Sequence, residues 1–189
     1  MKATNENIES VIEETQRWIK NIVIGHNFCP FAAKPFAENR IRYFVSPAED
    51  EVALVDDVVN ELLFLRDANP AEIETAFLIA PHCFDNFSDY NQFIELLDVI
   101  IEKLSMEGEV QIATFHPDYC FADLSEDDVC NYTNRSIYPM FHLIREDSVD
   151  QARAMHPDVD RIPDDNMEKL QSLGLNRIKK QILGCMIKS

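Results

Sequence analysis

The stretch of residues 73–80, IETAFLIA, carries a nearly continuous apolar run that ends at Pro81. A strand that is apolar on both faces is typical of a central position in a sheet that is covered on both sides. These residues therefore predict the central strand around which the other elements are arranged.

Segments with strand and helix periodicity flank this run on both sides. Before it, residues 40–46 alternate polar and apolar side chains, and residues 49–68 repeat Val and Leu with helical spacing. After it, residues 88–106 predict a second amphipathic helix and residues 110–115 a third strand. Strands joined by single crossover helices are parallel, so we expect their carboxyl ends along one edge, where open α/β sheets bind ligands.

Both ends of the chain are expected to be helical. Residues 6–23 form one amphipathic stripe that Gly25 can end, and the tail predicts three helices between residues 148 and 183. Residues 140–146, MFHLIRE, predict a strand that starts at the ligand-binding edge and runs antiparallel to its neighbours.

The predicted fold class is therefore α/β (or α+β), with a central mixed sheet of about four strands, largely parallel with one antiparallel strand, flanked by helices. We expect a single globular domain over residues 1–189. Within it, residues 1–25 are the N-terminal helix, residues 40–146 the α/β core and residues 147–189 the C-terminal helices.

The composition argues against several partners and locations. The chain has 34 Asp and Glu against 17 Lys and Arg, a formal net charge of -17. Such a chain repels nucleic acid and anionic membranes at long range, so we expect neither as a partner. No segment has the apolar pattern of a signal peptide or a membrane span. We therefore expect a cytoplasmic protein with free cysteine thiols.

Residues 116–146, HPDYCFADLSEDDVCNYTNRSIYPMFHLIRE, concentrate polar side chains after the third predicted strand. They include about two dozen residues of loop, a length that usually indicates function. His116 lies at the strand end with Asp118 two residues away, which makes His116 a candidate acid/base oriented by a carboxylate. The alternative is that Asp118 caps a turn and His116 is a partly buried polar side chain.

Arg135, flanked by Asn134 and Ser136, offers a fork of donors suited to a carboxylate or phosphate. We assign these three residues, together with Tyr119, as candidate binding residues for a small anionic ligand. The alternative is that Arg135 pairs structurally with an acidic residue such as Asp123.

Cys29 is a further candidate catalytic residue, as a nucleophile. Pro30 fits the first position of a short helix, which would make Cys29 its N-cap and lower the pKa of the thiol through the helix dipole. The alternative is a small buried side chain, as most free cysteines are.

A zinc site is another alternative. His116 and Cys120 are four residues apart, and His82, Cys83 or His142 would need to approach them at the sheet edge. This spacing is not diagnostic, so no metal ligand is assigned. The sequence has no glycine-rich phosphate loop, nucleophile elbow, HExxH motif or dinucleotide fingerprint, and no cofactor is predicted.

Four motifs carry a resemblance to a known family: HNFCPFA at residues 26–32, HPDYCFAD at 116–123, NYTNRSIYP at 131–139 and FHLIRE at 141–146. Together they resemble a family of bacterial proteins known as a domain of unknown function. The resemblance spans nearly the whole chain and implies an α/β fold with no established activity and no catalytic assignment. Ile137 stands where we expect Pro.

Two hypotheses of different class follow. In the first, the protein is a small enzyme or ligand-binding protein that acts on a small anionic metabolite, with Arg135 and His116 lining one cavity at the sheet edge. In the second, it is a non-catalytic interaction or regulatory module, in which the polar loop is a structural plug and the acidic surface meets a basic partner. The sequence alone does not decide whether the protein is an enzyme.

Overall fold

The computed structural model describes residues 5–155 and 158–186. Its helices are α1 (Asn5–Trp18), α2 (Ala33–Ala37), α3 (Glu51–Asp67), α4 (Phe87–Lys103), α5 (Glu146–Met155), α6 (Ile162–Leu173) and α7 (Leu175–Leu183). Its strands are β1 (Ile41–Val45), β2 (Thr75–Ile79), β3 (Val110–Phe115) and β4 (Met140–Arg145). A π-helix (Ile19–Ile24) continues α1, and two 3₁₀ helices cover Val129–Thr133 and Val159–Arg161.

The four strands form one mixed sheet with the order β1-β2-β4-β3. β1 and β2 are parallel, and β4 is antiparallel to both β2 and β3, so the predicted direction of the last strand is confirmed. The prediction of a largely parallel sheet is wrong, because β4 inserts between β2 and β3 and makes two of the three strand pairs antiparallel. Met140, Phe141 and Leu143 of β4 are buried, and the central position of the strand covers its apolar side chains on both faces.

Four strand ends lie side by side at one edge of the sheet. The register aligns Val45 with Ile79, Ile79 with Met140, and Met140 with Phe115. β1, β2 and β3 therefore end, and β4 begins, at a common edge, which we call the rim.

Helices cover both faces of the sheet. All five residues of β2 are buried, as the apolar run predicts. Ala76 and Leu78 of β2 belong to a core built with α3 and α4, whereas Phe77 and Ile79 belong to a second core built with α1, the π-helix, α6 and α7. The alternation of side chains along one strand thus fills two separate cores.

The N-terminal region differs from its prediction in one respect. Cys29 is not a helix N-cap: α2 begins at Ala33 and its N-cap is Ala32. The Cys29 carbonyl accepts a hydrogen bond from the Ala32 N–H at 3.2 Å, and this turn keeps Pro30 outside the helix. Pro35 lies instead in the first turn of α2, where its missing N–H costs no intrahelical hydrogen bond.

The tail is helical, as predicted, with α5, α6 and α7 following β4 in the described part of the chain. No helix among the described residues is long and apolar enough to cross a membrane.

Candidate functional site

Residues 116–139, which we call the polar excursion, join β3 to β4. Their polar side chains largely bind the backbone of the same segment. Asp128 accepts a backbone N–H of the 3₁₀ helix at 2.8 Å. Asn131 is fully buried, accepts the Phe121 N–H at 3.1 Å and donates to the Ser125 carbonyl at 2.8 Å. The irregular backbone is thus satisfied by its own side chains.

Both ring nitrogens of His116 have protein partners. Nε2 donates to the Phe84 carbonyl at 3.0 Å, and Nδ1 accepts the Asp118 N–H at 3.0 Å, which fixes the neutral tautomer with the proton on Nε2. His116 is only 1% exposed, and burial lowers its pKa. The hydrogen bond to Phe84 and the Asp118 charge oppose this shift, while the Arg135 charge adds to it.

The Arg135 guanidinium is directed into the polar excursion. Its Nε donates to the Tyr119 carbonyl at 3.0 Å, one terminal nitrogen to the Glu126 carbonyl at 2.7 Å and the other to the Tyr132 hydroxyl at 3.3 Å. The guanidinium carbon also lies 4.8 Å from the centre of the Tyr132 ring. Arg135 therefore holds two distant turns of the loop together through backbone acceptors and not through a carboxylate.

The remaining candidate binding residues also make structural contacts. The Asn134 amide donates to the Thr114 carbonyl of β3 at 3.1 Å, and the Ser136 hydroxyl donates to a carbonyl two residues later at 2.6 Å. The Tyr119 ring packs against Phe87, with 4.9 Å between ring centres.

The structure brings His116 and Arg135 together through their backbones, which form a parallel β-bridge. Their side-chain donors, however, bind protein acceptors, and neither residue lines the two cavities described below. The catalytic roles of His116 and Asp118 stay predictions, and so do the binding roles of Arg135, Asn134, Ser136 and Tyr119.

The environment of Cys29 opposes the predicted thiol reactivity. Burial raises the pKa of its thiol, and hydrogen bonds from the Phe31 and Ala32 backbone only partly offset that effect. The shift is opposite in direction to that predicted for an N-cap cysteine. Its role as a nucleophile also stays a prediction.

The residues considered for zinc are separated between the rim and the sheet. His82 and Cys83 lie at the rim, whereas His142 is in β4, with its ring stacked 4.0 Å from the centre of the Phe77 ring. Across residues 5–155 and 158–186, no three His, Cys, Asp or Glu side chains form a group that could hold a metal ion. The geometry gives the zinc alternative no support.

An acidic cavity of about 500 Å³ lies at the rim, where β1 and β2 lead into α3 and α4. We call it the rim cavity. Its lining residues are Glu49, Asp50, Glu51, Val52, His82, Cys83, Phe84, Asp85, Asn86 and Asp89. Half of them are carboxylates, and His82, Glu51 and Asp85 are exposed.

Helix starts form two walls of the rim cavity. Asp50 caps α3 by accepting the Ala53 N–H at 2.8 Å, and Asn86 caps α4 by accepting the Asp89 N–H at 3.0 Å. Burial raises the pKa of the Cys83 thiol to about 11, with further contributions from nearby acidic residues. Cys83 is therefore a neutral thiol at physiological pH and binds the Ala48 carbonyl at 3.2 Å.

The sequence carries a signal for this cavity that lies outside the candidate site residues named above. The sequence-based predictions consider His82 and Cys83 only as possible zinc ligands and assign no site role to the carboxylates around them. Two acidic segments, EDE at residues 49–51 and DNFSD at 85–89, each follow one of two adjacent parallel strands. Because adjacent parallel strands end side by side, the two segments are expected to lie close together in space.

A second cavity, of about 650 Å³, lies between the end of the π-helix and α6 and α7. It has mixed charge, with Asp165, Lys169 and Arg177 among its lining residues. The Lys169 ammonium donates to the Asn27 carbonyl at 3.0 Å, so at least one of its hydrogen bonds is made within the protein.

Comparison with known proteins identifies a family for this chain. No curated protein and no solved structure matches the chain. A family model described as "Protein of unknown function (DUF1415)" matches residues 10–180. Because that match covers most of the sequence, the chain belongs to this family of proteins of unknown function.

Proposed function

We propose that this protein is a non-catalytic interaction module that binds a lysine- or arginine-rich segment of a partner protein in the rim cavity. The observation that carries the proposal is the charge of that cavity: five of its ten lining residues are Asp or Glu, and none is Lys or Arg. Carboxylates around one concave surface focus a negative potential, which attracts a cationic segment and raises its association rate.

Two features favour a protein segment over a single small cation. Val52 lies among the carboxylates and is 81% exposed, so it offers an apolar contact to the aliphatic stem of a Lys or Arg side chain. The net charge of -17 extends the attraction beyond the cavity, which suits a segment with several cationic residues.

The hypothesis of an enzyme for a small anionic metabolite stays a prediction. It requires His116 and Arg135 to release the carbonyls of Phe84, Tyr119 and Glu126, which would then lack their present partners. The negative rim cavity would also repel an anion. The lack of a nucleic acid partner remains a prediction from charge, and a cytoplasmic location remains a prediction from the lack of a signal-peptide pattern.

Binding of a fluorescein-labelled lysine–serine peptide, followed by fluorescence anisotropy at low and high salt, tests the proposal. We expect the Glu51→Gln/Asp85→Asn double variant to weaken binding about fivefold, since each exposed carboxylate contributes roughly 0.5 kcal/mol to a screened charge pair. Raised salt should weaken binding of the wild-type protein.

The matched control is Glu95→Gln/Asp98→Asn, which removes the same two residue types from the exposed face of α4. It should change the affinity less than twofold. Equal losses in both double variants would mean non-specific attraction to an acidic protein, and absence of binding by the wild type would overturn the proposal.

A further inference from the structure

One wall of the rim cavity is a strained loop. Residues 81–86, which we call the rim loop, join β2 to α4. Phe84 in this loop has φ of 63°, a left-handed conformation that is unusual for a bulky side chain. Such a conformation persists only where neighbouring contacts hold it, and it concentrates at functional sites.

Two contacts hold the rim loop from opposite sides. The Cys83 thiol binds the Ala48 carbonyl, in the loop that leads into α3, at 3.2 Å. The His116 Nε2 donates to the carbonyl of the strained Phe84 itself at 3.0 Å. His116 thus connects the end of β3 to the wall of a cavity that it does not line.

The His116 ring is itself fixed for this role. The Asp118 N–H donates a hydrogen bond to Nδ1 at 3.0 Å, so the ring proton lies on Nε2, facing Phe84. The ring packs against Phe87 and Tyr90, with ring centres 5.6 and 5.1 Å away. A ring that is 1% exposed and bonded at both nitrogens has little freedom to turn.

We propose that His116 is a positioning residue of the rim cavity: its Nε2–H holds Phe84 in the left-handed conformation and thereby sets the direction of the Asp85 carboxylate next to it. This inference rests on the proposed function for its effect on binding. Its effect on the loop is independent of any ligand.

The test compares His116→Phe, which keeps a ring but removes the donor, with His116→Gln, whose side-chain amide can still donate to the Phe84 carbonyl. The matched control is His142→Phe, which changes a partly buried histidine in the middle of β4. Each protein is measured in two ways: affinity for the labelled lysine–serine peptide, and backbone amide chemical shifts of residues 83–86 in ¹H–¹⁵N spectra.

We expect His116→Phe to shift the amide signals of residues 83–86 and to weaken peptide binding about twofold, the effect of losing the Asp85 carboxylate from the cavity. His116→Gln should restore both, and His142→Phe should leave both near wild type. If His116→Phe does not fold, His116→Asn, whose amide is too short to reach Phe84, takes its place.

The outcomes separate the two proposals. A wild-type protein that binds no peptide refutes the proposed function, and the amide shifts then decide alone whether His116 positions the loop. A folded His116→Phe protein with unchanged shifts in residues 83–86 overturns the positioning role, whatever the peptide result.

Discussion

The rim loop and the polar excursion contain similar residue types but differ in the exposure of their polar side chains. Each follows a strand that ends at the rim, and each contains histidine, cysteine and acidic residues. In the rim loop, His82 and Asp85 are exposed, whereas in the polar excursion His116 and Arg135 are buried. A high density of polar residues therefore does not by itself indicate an open site.

The length of irregular backbone explains the difference. The rim loop leads within a few residues into α4, where the single Asn86 cap satisfies an exposed helix start. The polar excursion has only one short 3₁₀ helix, so its buried N–H and C=O groups need side-chain partners. Asn131 and Arg135 supply them, so both side chains are engaged within the loop itself.

The largest effect is expected from Arg135→Met. This change removes the donors to the Tyr119 and Glu126 carbonyls while keeping much of the side-chain volume. Because two partly buried carbonyls lose charged partners, we expect the free energy of unfolding to fall by about 3 kcal/mol, measured by urea denaturation.

Arg153→Met is the control for this substitution, since Arg153 is an exposed residue of α5. It should change stability by no more than about 0.5 kcal/mol. If Arg135→Met were as stable as the control, the polar excursion would not depend on its arginine, and a ligand-binding role for Arg135 would regain support.

A second effect is expected from pH. Burial lowers the folded-state pKa of His116 and lowers that of His142 to about 3, against an ordinary value of 6.5. Below about pH 6.5 the unfolded chain therefore binds more protons than the folded protein, and stability falls as the pH is lowered. Each histidine contributes at most ~1.4 kcal/mol per pH unit, so we expect a loss of about 2 kcal/mol between pH 7 and 5.5.

Urea denaturation of two variants across this pH range assigns the effect. His116→Gln should flatten the pH dependence, because it removes an imidazole that binds a proton more readily in the unfolded chain than in the folded protein. His142→Phe should flatten it as well, because burial also lowers the pKa of His142. A slope that neither variant reduces would contradict a contribution from these two histidines.

The positions of most elements could be predicted because periodicity reports burial locally. Residues 73–80 predict a covered strand, and β2 is buried at every position. Strand order could not be predicted in the same way. The insertion of β4 depends on the pairing of Phe141 with Leu78 on one side and Thr114 on the other, between segments far apart in the sequence.

The hydrogen-bond partners of the polar side chains could not be predicted from the sequence either. Arg135 was expected to meet either a ligand or a carboxylate, yet its acceptors are two carbonyls and a tyrosine hydroxyl that only the folded loop brings together. The rim cavity, in contrast, follows from topology, since residues 49–51 and 85–89 both follow strands of one parallel pair.

The smallest effect is a difference between single carboxylates of the two regions. Asp85 lines the rim cavity, whereas Asp123, in the polar excursion, is equally exposed but lines neither cavity. Asp85→Asn should weaken binding of the lysine–serine peptide about twofold, the effect of roughly 0.5 kcal/mol. Asp123→Asn should not change it measurably, because solvent and salt screen a charge that lies outside the cavity from the bound peptide. Titrations at low salt resolve such a difference. Equal effects at both positions would mean that net charge, and not the concave arrangement of carboxylates, attracts the peptide.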